Sequence, residues 1–270
     1  MIALSPLKKF TYPIQAEAIN PDVFQGKTIS EIGELTVYEG NKLRKLSELF
    51  SIKEMPGEPT TIQIDGDVSQ VRRIGLGMKN GEIIINGNAG MHLGEKMAGG
   101  KITVNGDVGG WAGSDMKKGT IEIHGNAGDY LASPYRGSAT GMKGGNITVD
   151  GNVGSDSACY MRGGVIKIKG NAGPFLGYHM SDGAIYVQQN AAPRLGASMT
   201  GGKIIVSGTV EDMMPTFSID SIKPKVKVDD TTNVTGPFYV FLGDLAEHGT
   251  GKIFASKAAN PALKAYEKFL

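Results

Sequence analysis

Isoleucine returns along most of this chain every 19 residues, at Ile83, Ile102, Ile121, Ile147, Ile166, Ile185 and Ile204, with one spacing of 26 between Ile121 and Ile147. Each of these begins an apolar-polar-apolar triplet such as Ile102-Thr103-Val104, the period of two that buries one face of a short strand. The full repeat reads Gly-x-x-Met-x-x-Gly-x-Ile-x-Val-x-Gly, seen whole at Gly94, Met97, Gly100, Ile102, Val104 and Gly106. A further coil precedes these, with Ile62, Ile64 and Gly66 matching Ile83, Ile85 and Gly87. One such block is too short to bury a core, so neighbouring blocks must stack.

After the triplet comes Asn-Gly-Asn-Ala-Gly or a variant of it, a composition that turns the chain. Stacking places Asp67, Asn88, Asp107, Asn126, Asn152, Asn171 and Asn190 in one column, where amides can bond to their equivalents above and below. The small apolar residue that follows, from Val68 and Ala89 to Ala191 and Val210, points inward. Met78, Met97, Met116, Met142, Met161, Met180 and Met199 form a second apolar column. Thioethers can ligate copper or haem, but methionines in register beside small residues read as the filling of a narrow core.

The expected fold is therefore all-β, a single-stranded right-handed parallel β-helix of about eight coils with N- and C-terminal caps. Handedness follows from the general preference of parallel crossovers. Residues 1–60 are expected to form the first cap, residues 61–217 the repeats, and residues 218–270 a closing cap. In that last segment "GPFYVFLG" and "GKIFAS" read as paired strands, and "NPALKAYEKFL" as a helix with Asn260 as N-cap.

Composition narrows the function. Lys and Arg total 28 against 27 Asp and Glu, which leaves no global footprint for nucleic acid. No apolar run is long enough to enter a membrane and no leader pattern opens the chain. The single Cys159 excludes an internal disulfide and favours a reducing, cytoplasmic setting. His92, His124, His179 and His248 fall at different offsets within the repeat, and His124 stands where Asn86 and Asn105 end their strands. Neither a phosphate-binding loop nor a nucleophile-base pair is present. The chain is expected to have no catalytic, cofactor or metal residues of its own.

Function is expected where the repeat breaks. The seven-residue excess is the segment "ASPYRGS", Ala132 to Ser138, expected to be extruded from the wall. It carries Tyr135 and Arg136, residue types enriched at interface hot spots. Trp111, the sole tryptophan, and Tyr130 sit on neighbouring coils. Trp111, Tyr130, Tyr135 and Arg136 are thus the expected partner-facing patch. A second breach lies where Gln189 and Ala192 replace corner glycines, and that corner is expected to differ from the others.

The Gly-x-x-Met-x-x-Gly-x-Ile-x-Val-x-Gly block from Gly75 to Gly208, with the segment "QAEAINPDVFQGKTISEIGELTVYEGN" from Gln15 to Asn41, resembles the C subunit of formylmethanofuran dehydrogenase. The repeat is also similar to the C-terminal β-helix of glutamate synthase. The resemblance implies a noncatalytic structural subunit of a complex that reduces carbon dioxide and attaches it as a formyl group to methanofuran, the first step of methanogenesis. It implies a tungsten or molybdenum pterin, iron-sulfur clusters and a dinuclear metal site on partner subunits, with this chain scaffolding the amidohydrolase-like and pterin subunits. A methanofuran groove along the Tyr135 and Arg136 loop is a further implication. Alternatives are the corresponding subunit of the bacterial formyltransferase/hydrolase complex and a free-standing glutamate-synthase-like module.

Overall fold

The computed structural model describes all of residues 1–270. It is mostly β, with a few short helical turns, and most strands belong to one 13-stranded mixed sheet. The triplets form the expected strands, at Thr61–Asp65, Glu82–Asn86, Ala98–Val104, Lys118–Ile123, Asn146–Val149, Arg162–Ile168, Asp182–Val187 and Lys203–Val206. Neighbours pair in parallel with repeat positions in register: Ile83 opposite Ile102, Ile102 opposite Ile121, and so on to Ile185 opposite Ile204. On a second wall, single parallel bridges link Val68 to Ala89 and continue through Val108, Ala127, Val153, Ala172 and Ala191 to Val210.

Between these walls lies the core. All seven repeat methionines are fully buried, and the inward isoleucines from Ile62 to Ile204 are buried with them. The methyl groups of six of these methionines, all but Met97, lie against a glycine of the following coil. A Cβ at Gly145, Gly164 or Gly183 would lie 2.7 Å from the Cε of Met116, Met142 or Met161, respectively. Glycine at these sites lets the thioether reach the next layer, which couples packing between coils.

The corner column forms the hydrogen-bonded ladder. The Oδ1 atom of Asn152 accepts from the Asn171 backbone N–H at 2.8 Å and from its Nδ2 at 3.0 Å, and Asn171 repeats this toward Asn190 at 3.1 Å. The Gln189 corner does not depart as expected. Asn190 and Ala191 keep their ladder and bridge, and the Gln189 N–H bond to Gly170 O merely lengthens to 3.3 Å, against 3.0 Å one coil below. Backbone there is not in the left-handed region, so a side chain is tolerated.

Both ends extend the sheet. Ile2–Pro6 pairs in parallel with Thr61–Asp65, and Phe50–Glu54 closes that edge antiparallel. At the other end Gly251–Ser256 adds a further parallel rung, with Ile253 opposite Ile204. It also pairs antiparallel with Asn233–Gly243, which in turn carries Ser218–Lys227, a strand the sequence pattern does not announce. Covering strands in this way satisfies edges that would otherwise template association.

Two expectations fail locally. Pro261–Phe269 is a 3-10 helix, and the Asn260 side chain does not cap it. Instead its Oδ1 accepts from Val210 N–H at 2.8 Å, while Nδ2 donates to Gly208 O at 3.0 Å and Ser256 O at 2.8 Å. A buried amide is worth more tying down the open backbone of the last coil than at an exposed helix end. The insertion also begins later than Ala132. Ala132 and Ser133 keep the repeat's hydrogen bonds, Ala132 N–H to Ala112 O and Ser133 N–H to Tyr130 O, and both are fully buried. The extra residues are thus 134–140.

Candidate partner-docking surface

The chain crosses from each bridge column to the next methionine with alternate residues in the left-handed region. In the coil of Met97 these are His92, Gly94 and Lys96, at φ of 62°, 61° and 58°. The middle position is inward and held by glycine or alanine. The first position faces out, and over seven coils it reads Arg73, His92, Trp111, Tyr130, Asp156, Phe175 and Arg194, all at φ between 55° and 63°. A left-handed non-glycine residue costs roughly 1–2 kcal/mol. The column therefore carries its large side chains at a cost in backbone strain.

The four residues expected at the interface come together on it. The rings of Trp111 and Tyr130 stack with centroids 4.5 Å apart and planes 9° from parallel. His92 continues the stack at 5.4 Å from Trp111. Tyr135 folds back from the insertion to lie 5.7 Å from His92 and 6.3 Å from Trp111, while the guanidinium of Arg136 donates to Tyr130 Oη at 3.3 Å. The insertion is therefore laid along the wall and not extruded from it. Its tip stays accessible, with Tyr135 58% exposed. Trp111 Nε1 is buried and has no acceptor.

His92 belongs to this patch although the sequence alone does not single it out. Its signal is positional: it lies 19 residues before Trp111, which lies 19 before Tyr130. Beneath the stack, Glu95 is buried with Oε2 3.4 Å from His92 Nδ1, 3.7 Å from Arg73 Nε, and its other oxygen 3.7 Å from Lys96 Nζ. The 3.4 Å approach lacks good hydrogen-bond alignment. His92 chiefly, then Arg73 and Lys96, hold the Glu95 carboxyl below its ordinary range against the opposing effect of burial. A lowered carboxyl pKa stabilises the fold above the ordinary glutamate range, and that contribution is lost as pH falls through the lowered value. A second aromatic group lies farther along the same wall, where Tyr160 stacks on His179 at 4.8 Å and Tyr178 meets His179 edge-on at 4.2 Å.

This surface can stack and pair, but it holds no nucleophile beside a base. Burial pushes the Cys159 thiol up to about 12, and its Sγ lies 3.1 Å from Asp156 O. His124 sits in the strand-end ladder, its Nδ1 2.9 Å from Asp150. No three His, Cys, Asp or Glu side chains gather where they could hold a metal ion. The donor set of this chain does not fit a pterin metal, an iron-sulfur cluster or a dinuclear centre.

The same fold occurs in a solved one-carbon complex. A chain of the formyltransferase/hydrolase complex from Methylorubrum extorquens, solved with methylofuran, superimposes with a TM-score of 0.82 over 94% of this chain and 99% of that one, at 24% identity. By sequence, the curated homologues of this chain are C subunits of formylmethanofuran dehydrogenase. It is 52% identical over 91 residues to the C subunit of molybdenum-containing formylmethanofuran dehydrogenase 1 of Methanothermobacter thermautotrophicus, 34% of this chain and 23% of that protein. It is 42% identical over 96 residues to the C subunit of tungsten-containing formylmethanofuran dehydrogenase 2 of Methanothermobacter wolfeii, 34% of this chain and 36% of that one. The matched stretch thus spans about a quarter to a third of these relatives' length. No family model matches the chain.

Proposed function

We propose that this chain is the noncatalytic structural subunit of a formylmethanofuran dehydrogenase complex. In this reading residues 61–217 form a right-handed parallel β-helix, and residues 1–60 and 218–270 cap it. The rod scaffolds amidohydrolase-like, pterin-binding and iron-sulfur subunits in the cytoplasm. Those partners supply the tungsten or molybdenum pterin, the iron-sulfur clusters and the dinuclear metal site. Sequence relatives named as dehydrogenase C subunits support this over the formyltransferase/hydrolase and glutamate-synthase-like readings. No helix is long and apolar enough to cross a membrane.

One observation carries the docking role: the stack of His92, Trp111 and Tyr130 on left-handed backbone, with the exposed Tyr135 folded against it. Large aromatic rings and arginine supply most of the energy at protein interfaces. Methanofuran, where it reaches this chain, would lie at the edge of the same patch, beside Tyr135 and Arg136.

The double substitution Trp111→Ala and Tyr135→Ala is expected to weaken recovery of the partner subunits in affinity purification by about tenfold or more. The secondary structure of the isolated chain should stay native, because neither side chain enters the core. Undiminished recovery of every partner would remove this patch from the interface.

A further inference from the structure

Below the insertion, the wall opens into a cleft of about 270 Å³ bounded by Tyr130, Tyr135, Arg136, Asp156, Tyr160 and Tyr178. Asp156 is the one acidic residue in the outward column, at φ 55°. Its backbone is engaged, the carbonyl by Ser133 Oγ at 2.6 Å and Cys159 Sγ at 3.1 Å and the N–H by Pro174 O at 2.9 Å. Its carboxylate accepts no hydrogen bond and forms no ion pair. By contrast, the nearby Asp129 is committed, its Oδ1 accepting from the Ser155 backbone N–H at 2.8 Å and from Ser155 Oγ at 3.1 Å. Burial chiefly, then the charge of Asp129, raises the Asp156 carboxyl above its ordinary range against an opposing attraction from Arg136. This half-buried carboxylate walled by aromatic rings is attracted by Arg136 at the rim but is directly paired with no cation, and the cleft has room for one.

We infer that this cleft receives a guanidinium group, an arginine side chain presented by the subunit that docks on the aromatic stack. The inference rests on the docking role proposed above and names the partner chemistry. A planar guanidinium pairs with a carboxylate through two parallel N–H donors and stacks on tyrosine faces, which a compact ammonium does less well. Arg136 stands at the rim, bonded to Tyr130 Oη and not to Asp156, so it orders the tyrosine wall without filling the cleft. The cleft also adjoins the stack, since Tyr130 and Tyr135 belong to both.

N-acetyl-arginine amide titrated into the full chain with labelled tyrosines is the probe. The ring signals of Tyr130, Tyr160 and Tyr178 are expected to shift in a saturable way, and Asp156→Asn to weaken that binding by about tenfold. Asparagine tolerates the left-handed region, so this variant should fold. N-acetyl-lysine amide should bind more weakly, and Arg136→Ala should strengthen arginine binding by removing a like charge. Unmoved tyrosine signals, or equal binding by Asp156→Asn, would overturn the inference. So would N-acetyl-glutamate shifting the same rings with loss of that effect in Arg136→Ala, which would assign the cleft to an anion. In the complex, Asp156→Asn should reduce partner recovery about as the aromatic variant does. Loss with Trp111→Ala and Tyr135→Ala but not with Asp156→Asn would sink the arginine site and leave the docking role standing. Loss with neither would sink the docking role itself.

Discussion

Met142→Asp is expected to destabilise the fold by about 4 kcal/mol or more, a large share of the stability of an ordinary domain. Met142 is fully buried at the centre of the stack, between the methionines of the coils above and below. Its Cε lies against Gly164, and the side chain belongs to the apolar core. An aspartate there must either stay charged without a partner or bind a proton and leave a void. Met142→Leu keeps the volume and should cost less than about 1.5 kcal/mol. Thermal unfolding followed by circular dichroism separates the two. An unchanged midpoint in the aspartate variant would mean that the methionine column faces solvent.

Gly164→Ala is the second large effect, at about 2–4 kcal/mol, from backbone strain and crowding together. At φ 92° an alanine is strained, and its Cβ would lie 2.7 Å from Met142 Cε and 2.8 Å from the carbonyl oxygen of Gly145. The thioether can yield. The carbonyl belongs to the coil below and cannot move without opening the parallel ladder. Gly137, in the insertion, has nearly the same φ of 90° and nothing within 4 Å of where a Cβ would stand, so Gly137→Ala carries the strain alone. The difference between the two variants in urea unfolding isolates the coil-to-coil packing. Equal midpoints would mean that the coils are not in the close contact described.

Much of this was legible in the chain, because a strict period repeats each local instruction. A triplet such as Ile102-Thr103-Val104 is weak evidence by itself, yet its recurrence every 19 residues made strand register, methionine core and amide ladder readable together. The ends were harder. Ile253 enters the stack as one more rung although it lies 49 residues beyond Ile204, a distance filled by the antiparallel strands Ser218–Lys227 and Asn233–Gly243. No periodicity signals such a return. Asn260 looked like a helix cap because Pro261 follows it, and its true partners, Val210, Gly208 and Ser256, are defined only by the folded stack.

The residues proposed for the interface break the pattern, which is why Trp111, Tyr130, Tyr135 and Arg136 were legible as a patch and His92 was not. His92 breaks nothing in the sequence. Its role shows only once its left-handed backbone turns the ring outward onto Trp111. Asp156 was hidden for the same reason, being one member of a column whose other members are aromatic or basic.

The most direct test is mass spectrometry and metal analysis of what purifies with the native chain. Recovery of amidohydrolase-like and pterin-binding subunits, with tungsten or molybdenum present in the complex and absent from the isolated chain, is the predicted result. A chain that purifies alone and turns over a one-carbon substrate, or that retains the metal when separated from every other subunit, would contradict it.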